Sequence, residues 1–326
     1  MTAPDPSGVP QKSRAPSQQV PLVSIGVATH DAEQFVAETL RSLLAQTYPN
    51  LDIHVHDNGS RDRTTEIVEE VCADDHRVRI TRWQDDRGAV ANFNHLLETA
   101  RGSYFMWASD HDLWDPQYVE VLAGALESDH RAVLAYGETV LIDESGSELG
   151  LMDDLVDVSA SGARQRYCEL IWRIGPCNMA YGLMRLDAAR STWGILPILG
   201  PDNLLLAQMA LRGRFQRVGS PLFFRRQNRP VEADPETERA QQLERLHGAN
   251  QAYRSPSRIA DMTELRDQHL RLVHGEFSGF DRLLADLTTR HAFLDRLGVP
   301  DVLGSTLHLR HRVTGRLRRW QRQLAP

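Results

Sequence analysis

From Leu22 to Tyr136, short continuous apolar runs alternate with stretches in which apolar residues recur every three to four positions. The first kind predicts strands at Val23–Ala28, Ile53–His56, Val78–Arg82, Tyr104–Ala108 and Ala132–Tyr136. The second predicts helices over Ala32–Ala45, Thr64–Cys72, Val90–Ala100 and Gln117–Glu127, several opened by Asp or Ser near the N-cap. Such alternation builds crossover units, and so an α/β, Rossmann-like, mainly parallel sheet flanked by helices. Ligands of these sheets bind beyond the carboxyl ends of the strands. The polar residues there are Thr29-His30-Asp31, Asp57-Asn58-Gly59-Ser60, Asp85-Asp86 and Asp110-His111-Asp112.

Further along, Tyr136-Gly137-Glu138 and the turn Asp143-Glu144-Ser145-Gly146 lead into an expected hairpin, with helices at Ala163–Trp172 and Leu204–Leu211. After Pro235 the chain turns helical and charged, with expected helices over Glu236–Ala252 and Met262–Leu297, the latter broken near Gly275–Gly279. The organisation read from this is a disordered leader over 1–19, an α/β domain over 20–229 with halves at about 20–136 and 137–229, and a helical region with a basic tail over 230–326.

Composition is that of an ordinary globular chain, with 41% hydrophobic and 25% charged residues. The net charge of -7 gives no overall attraction to nucleic acid, so no nucleic-acid partner is expected. Cys72, Cys168 and Cys177 share no metal-ligand spacing and lie in apolar segments, as reduced core thiols of a cytoplasmic protein would. The first nineteen residues hold four prolines and lack the apolar core of an export signal. No run reaches the roughly 18 to 20 apolar residues of a membrane-spanning helix.

The most informative element is Asp110-His111-Asp112, at the mouth of the apolar run Tyr104–Ala108. Two carboxylates at a strand end need solvent or cations, and their hard oxygens suit Mg2+ or Mn2+ carrying diphosphate oxygens. The alternative is a solvated turn or helix cap.

Its neighbours are Val23-Ser24-Ile25-Gly26-Val27-Ala28-Thr29-His30-Asp31, Gln46-Thr47-Tyr48-Pro49-Asn50-Leu51-Asp52 and Asp57-Asn58-Gly59-Ser60-Arg61-Asp62. Gly88, Ala91-Asn92-Phe93-Asn94 and Ala100-Arg101-Gly102-Ser103 follow in order. From Leu22 to Arg226 this series resembles the family-2 glycosyltransferases of GT-A fold, in a bacterial, inverting, non-processive subgroup. The resemblance implies a nucleotide-diphosphate sugar donor, UDP- or dTDP-linked, and Mg2+ or Mn2+ as cofactor.

By position, the resemblance gives Asp57 a hydrogen bond to the base, with an Asx turn as the alternative. Thr29, His30 and Asp31 line the same pocket; relatives often carry Tyr and Asn where His30 and Asp31 stand, and helix capping is the competing role. Asn92 faces ribose or phosphate, or caps its helix. Asp112 bridges the metal to both phosphates; Asp110 acts through ribose or metal-bound water, with His111 pointing away. Arg225 and Arg226 are candidate diphosphate contacts, only one of which can face the site because neighbouring strand residues point oppositely. Relatives often have His where Asn228 stands, which puts a third protein ligand for the metal in doubt. Asp202, ahead of the Leu-rich helix, is the implied catalytic base, its alternative being that helix's N-cap. Trp172 and Tyr181 are available for sugar stacking, with core packing as their alternative; Trp114 is expected to pack.

The implied reaction is inverting transfer of one sugar to a hydroxyl on a glycan, lipid-linked or small-molecule acceptor, in surface-glycan or natural-product glycoside synthesis. Processive relatives carry Gln-x-x-Arg-Trp, and here Arg316 stands in the Gln position before Arg319-Trp320. Two alternatives are a sugar nucleotidyltransferase, although Thr29-His30-Asp31-Ala32-Glu33 lacks that class's glycine-rich loop, and a silent glycan- or nucleotide-sugar-binding protein. Between His308 and Pro326, Arg310, Arg312, Arg316, Arg318, Arg319 and Arg322 accompany an amphipathic spacing with no acid. That segment either touches an anionic membrane peripherally, at the inner face of the plasma membrane, or docks on the catalytic domain.

Overall fold

The computed structural model describes residues 20–152, 156, 158–173, 175, 177–219, 223–227, 234–248 and 257–297. The leader, Asn228 and the basic C-terminal segment lie outside the described residues.

Strand and helix alternate as the apolar pattern requires: β1 (Val23–Thr29), α1 (Val36–Leu44), β2 (Leu51–Asp57), α2 (Thr64–Cys72), β3 (Val78–Arg82), α3 (Ala89–Thr99), β4 (Tyr104–Ala108), the short β5 (Leu113–Trp114), α4 (Tyr118–Ser128) and β6 (Ala132–Tyr136). There follow β7 (Thr139–Ile142), β8 (Glu148–Leu151), α5 (Ala163–Arg173), a 3-10 turn at Asn178–Tyr181, β9 (Leu183–Arg185), α6 (Leu186–Arg190), α7 (Pro201–Arg212), β10 (Arg214–Arg217) and β11 (Phe223–Arg226). Three helices close the described chain: α8 (Pro235–His247), α9 (Arg258–Glu276) and α10 (Gly279–Arg296).

The main sheet has seven strands in the order β10-β6-β9-β4-β1-β2-β3, and β9 alone runs antiparallel to its neighbours. β1 and β4 are buried at every position, so their side chains read as continuous apolar runs. A second sheet, β5-β11-β7-β8, is built from the expected hairpin β7–β8 together with two strands that apolar periodicity did not mark out. Phe223 of β11 stacks on Trp114 of β5 at 5.3 Å between ring centroids, which makes Trp114 a packing residue.

The first helix departs from expectation. It begins at Val36 rather than Ala32, because the N–H groups of Ala32 and Glu33 donate to Thr64 Oγ1 and Asp62 Oδ2 at 2.7 and 3.0 Å. These tertiary bonds hold the segment in a turn ahead of the helix.

The helical region is not separate in its packing. Leu265, Leu272, Val273, Ala285, Ala292 and Phe293 of α9 and α10 are buried in one hydrophobic cluster with α5, α7 and the β4–β6 face. Gly88, at φ +84°, lets α3 start against α8: a Cβ there would stand 2.5 Å from the His247 carbonyl carbon. Among the described residues no helix is long and apolar enough to cross a membrane. Cys72, Cys168 and Cys177 are all free thiols.

Candidate active site

The site forms where β1, β2 and β4 end side by side, since the pairing of β1 with β2 and β4 brings Thr29, Asp57 and Ala108 to one edge. The turn after β2 is tight. Gly59 has φ +73°, and a Cβ there would meet the Asp85 carbonyl carbon at 2.6 Å, so only glycine admits the next loop at this distance.

Asp57, 1% exposed, floors this turn. Its Oδ1 accepts from Ser60 N–H and Oγ–H at 2.8 and 2.6 Å, and its Oδ2 accepts from Thr65 Oγ1 at 2.5 Å, with Arg82 Nε at 3.3 Å. The Asx-turn role is thus present. A base N–H would share or replace the Arg82 contact, the longest of the four.

Thr29 is buried; its carbonyl accepts Asn58 N–H at 2.9 Å and its Oγ1 has no partner. His30 is exposed, with Nδ1 2.9 Å from the Asn58 carbonyl and Nε2 3.6 and 3.9 Å from carboxylate oxygens of Asp31 and Asp86. Asp31, at φ +47°, does not cap α1, whose N-cap is Phe35. Its Oδ1 accepts Arg61 N–H instead, at 2.7 Å, clasping the β1 and β2 turns together.

Asn92 does not cap its helix. It sits in the second turn of α3, whose N-cap is Gly88, and it is buried with Nδ2 donating to the His56 carbonyl at 3.3 Å. It therefore bridges the helix to the ends of β1 and β2, and its buried Oδ1 has no hydrogen-bond partner.

Asp110 and Asp112 flank His111, which does not point away as expected. Its Nδ1 lies 2.8 Å from Asp110 Oδ1 and its Nε2 4.0 Å from Asp112 Oδ1, so the ring stands between the two acids. Asp110 Oδ2 accepts His30 N–H at 3.1 Å. Asp112 is 2% exposed, accepting from Ser109 Oγ–H and, at 2.7 Å, from Arg226 N–H. Each carboxylate oxygen has two lone pairs, so both acids keep acceptor capacity for a hard cation. The donor set fits Mg2+ or Mn2+.

The two arginines of β11 part ways. Arg225 faces a cavity of about 220 Å³ lined by Cys177, Asn178, Tyr181, Gly200, Asp202 and Asn203, and its Nη1 donates to Asn178 Oδ1 at 2.7 Å. Arg226 turns to the other side and is 3% exposed. Its Nε donates to the His111 carbonyl, Nη1 to the Asp143 and Glu144 carbonyls, and Nη2 to Glu38 at 2.7 Å, over the ring of Phe35. Four of its five N–H groups are so engaged. Arg226 thus buttresses the acidic turn, contrary to its expected place on the diphosphate.

Asp202 stands in the first turn of α7, behind Pro201; the N-cap is Gly200, in the left-handed region at φ +71°. Its Oδ1 accepts Asn203 N–H at 3.0 Å. Burial pushes its carboxyl above the ordinary value, partly offset by hydrogen bonds from the backbone and Cys177 and by the charge of Arg225. Burial likewise pushes up the Tyr181 hydroxyl, with Asp112, Asp202 and Asp110 adding to the rise and Arg225 opposing it. Tyr181 therefore sits in the field of both acidic groups. It also packs on Phe223 at 5.4 Å between centroids. Cys177 and Asn178 were not marked out as site residues by the sequence, because nothing local ties them to Arg225 and Asp202 far along the chain; Ser109, three residues from Asp112, was within local reach and was missed.

Known proteins resemble this chain in sequence and in fold. The profile described as Glycosyl transferase family 2 matches residues 24–181. An uncharacterised glycosyltransferase of Haemophilus influenzae is 34% identical over 131 residues, which is 40% of this chain and 41% of that protein. A putative glycosyltransferase of Bacillus subtilis, EpsH, is 32% identical over 31% of this chain and 29% of its own. The chain thus spans less than half the length of either relative. Among solved structures, S. aureus TarS 1–349 in complex with UDP-GlcNAc superposes with a TM-score of 0.62 at 16% identity, over 84% of this chain and 73% of that one. The mannosyltransferase PcManGT from Pyrobaculum calidifontis, in complex with GDP-Man and Mn2+, gives 0.50 at 13% identity over 91% and 81%. Such identities speak for the fold. The profile match runs across the strand ends, the turn after β2 and the acidic motif, so that residues 24–181 are similar throughout to glycosyl transferase family 2.

Proposed function

We propose that this protein is a metal-dependent, inverting glycosyltransferase that moves one sugar from a nucleotide-diphosphate donor to a hydroxyl acceptor. The observation that carries the reading is a cavity that holds Asp202 and Arg225 together, walled by Tyr181, with Arg225 on the strand whose next residue bonds Asp112.

The base and ribose lie over the turns at Thr29-His30-Asp31 and Asp57-Asn58-Gly59-Ser60, with His30 and Asp31 the exposed side chains there. Asp110 and Asp112 hold Mg2+ or Mn2+, which when bound neutralises diphosphate charge. Arg225, oriented by Asn178, adds a fixed cation toward the leaving group. Asp202 accepts the proton of the acceptor hydroxyl as its oxygen bonds to the anomeric carbon and the bond to diphosphate breaks. A base whose proton affinity burial has raised suits that task. Attack from the face opposite the leaving group inverts the configuration.

TarS is named in complex with UDP-GlcNAc and the mannosyltransferase with GDP-Man and Mn2+, which supports a nucleotide-sugar donor and a divalent cation. A UDP- or dTDP-sugar is the donor proposed. The acceptor is a glycan, lipid-linked or small-molecule hydroxyl in surface-glycan or glycoside synthesis. The enzyme is placed in the cytoplasm, with the basic C-terminal segment as a peripheral membrane contact. Calorimetry of UDP, dTDP, GDP and CDP with the purified protein, with Mn2+ or Mg2+ and then EDTA, tests this. Cation-dependent binding of one diphosphate is expected; binding of none overturns the reading.

A further inference from the structure

A second group of ligating side chains lies outside this site. On β2, His54 and His56 are two residues apart and so share one face of the sheet, the face that α3 covers with His95. One ring nitrogen from each of the three lies within 4.8 Å of the others. The rings of His56 and His95 are 4.4 Å apart between centroids, and the Trp83 ring is 4.4 Å from His56.

Hydrogen bonds around the group determine where its protons sit. Thr99 Oγ–H donates to the His95 carbonyl at 2.7 Å, so the 3.1 Å contact of Thr99 Oγ1 with His54 Nδ1 requires a proton on that nitrogen. In the neutral ring, His54 Nε2 is then bare and accepts from Thr81 Oγ–H at 2.6 Å. The Thr81 oxygen in turn accepts from His56 Nδ1–H, also at 2.6 Å. His56 is left with an unprotonated Nε2, and that atom is buried with no hydrogen-bond partner in a residue 1% exposed. A neutral imidazole with Nδ1–H donated to a neighbour and a bare Nε2 is the state in which histidine binds a metal.

We propose that His54, His56 and His95 form a binding site for a borderline transition-metal cation, with Zn2+ the preferred ion, separate from the Asp110 and Asp112 pair. Imidazole nitrogens favour Zn2+, Ni2+ or Cu2+ over Mg2+, which takes oxygen ligands. Binding needs Thr81 Oγ–H to turn from His54 Nε2, and Thr81 lies exposed at the sheet edge, beside half-buried Trp83 and His95. That edge provides the entry path. A bound ion would clamp α3 to β2 directly beneath Asp57, whose carbonyl accepts Trp83 N–H at 2.9 Å.

The test uses the full chain without a polyhistidine tag, stripped with EDTA and held in excess Mg2+. Zn2+ is titrated by calorimetry and Co2+ by visible absorption, with thermal unfolding as a second readout. One equivalent should bind, Co2+ should show the strong visible bands of a four-coordinate ion, and Zn2+ should raise Tm. His95→Ala, at a half-buried position, should weaken binding at least about tenfold and abolish the Tm rise, while Asp112→Asn should leave Zn2+ affinity unchanged. His95→Gln repeats the test should His95→Ala fail to fold. No stoichiometric binding, affinity indifferent to both His95 variants, or loss of Zn2+ on Asp112→Asn would overturn the proposal.

Discussion

The Arg226 N–H donates to Asp112 Oδ1 at 2.7 Å, so the second acid of the turn between β4 and β5 is oriented by a residue 114 positions further along the chain. β11 pairs with β5 antiparallel and with β7 in parallel, which brings its last residue onto the acidic turn. The same strand then presents Arg225 to the Asp202 cavity on its other face. One four-residue strand thereby anchors the acidic turn and places a guanidinium in the cavity that holds Asp202.

The two arginines should separate stability from function. Arg226→Met strips three carbonyls and Glu38 of a buried donor and should cost about 3 kcal/mol in urea unfolding. Glu38→Gln should cost less than about 1 kcal/mol, because Glu38 is largely exposed. Arg225→Met should leave the unfolding midpoint nearly unchanged while weakening donor binding roughly thirtyfold, about 2 kcal/mol for a lost charged hydrogen bond. The reverse pattern would mean that the faces of β11 are exchanged in solution.

Asp202→Asn removes the proton acceptor and preserves the shape and the Asn203 contact. Nucleotide binding measured by calorimetry should persist while kcat falls by about 10²- to 10⁴-fold. Transfer at the normal rate by this variant would remove Asp202 from the role of base.

The pH profile follows from the sign of the Asp202 shift. A base acts ionised, and burial raises this carboxyl above its ordinary 3.8, so kcat/KM should fall on the acid side with a midpoint above that value. Arg225 lowers the same carboxyl, so Arg225→Gln should move the acid limb to higher pH. A limb at or below 3.8, or a shift the other way, contradicts the assignment.

Asp112→Asn keeps an acceptor for Arg226 N–H and deletes the charge proposed to hold the cation. Cation-dependent diphosphate affinity should drop at least about tenfold, and EDTA should lower wild-type affinity without affecting the variant further. Equal sensitivity of both proteins to EDTA would place the cation elsewhere.

The alternation of apolar runs by itself determined the strand–helix order, since burial on both faces and a period near 3.6 are properties of neighbouring residues. Thr64–Cys72 and Tyr104–Ala108 match to the residue. The break expected near Gly275–Gly279 falls between α9 and α10. The ordered motifs likewise marked the turn at Asp57 and the acids at Asp110 and Asp112, because each is a short stretch at a strand end. What only the tertiary structure decided depends on residues distant in the chain. Asp31 and Asn92 read locally as caps, yet bond to Arg61 N–H and the His56 carbonyl across strands. His111 was expected to point away, but the turn folds it between its neighbouring acids. Arg225 and Arg226 are alike as letters, and which one meets the cavity is set by the pairing of β11 with β5 and β7. The three histidines join only because β2 and α3 pack face to face. Local periodicity encodes elements, whereas hydrogen-bond partners and ligand sets arise from contacts between elements that no short window of sequence contains.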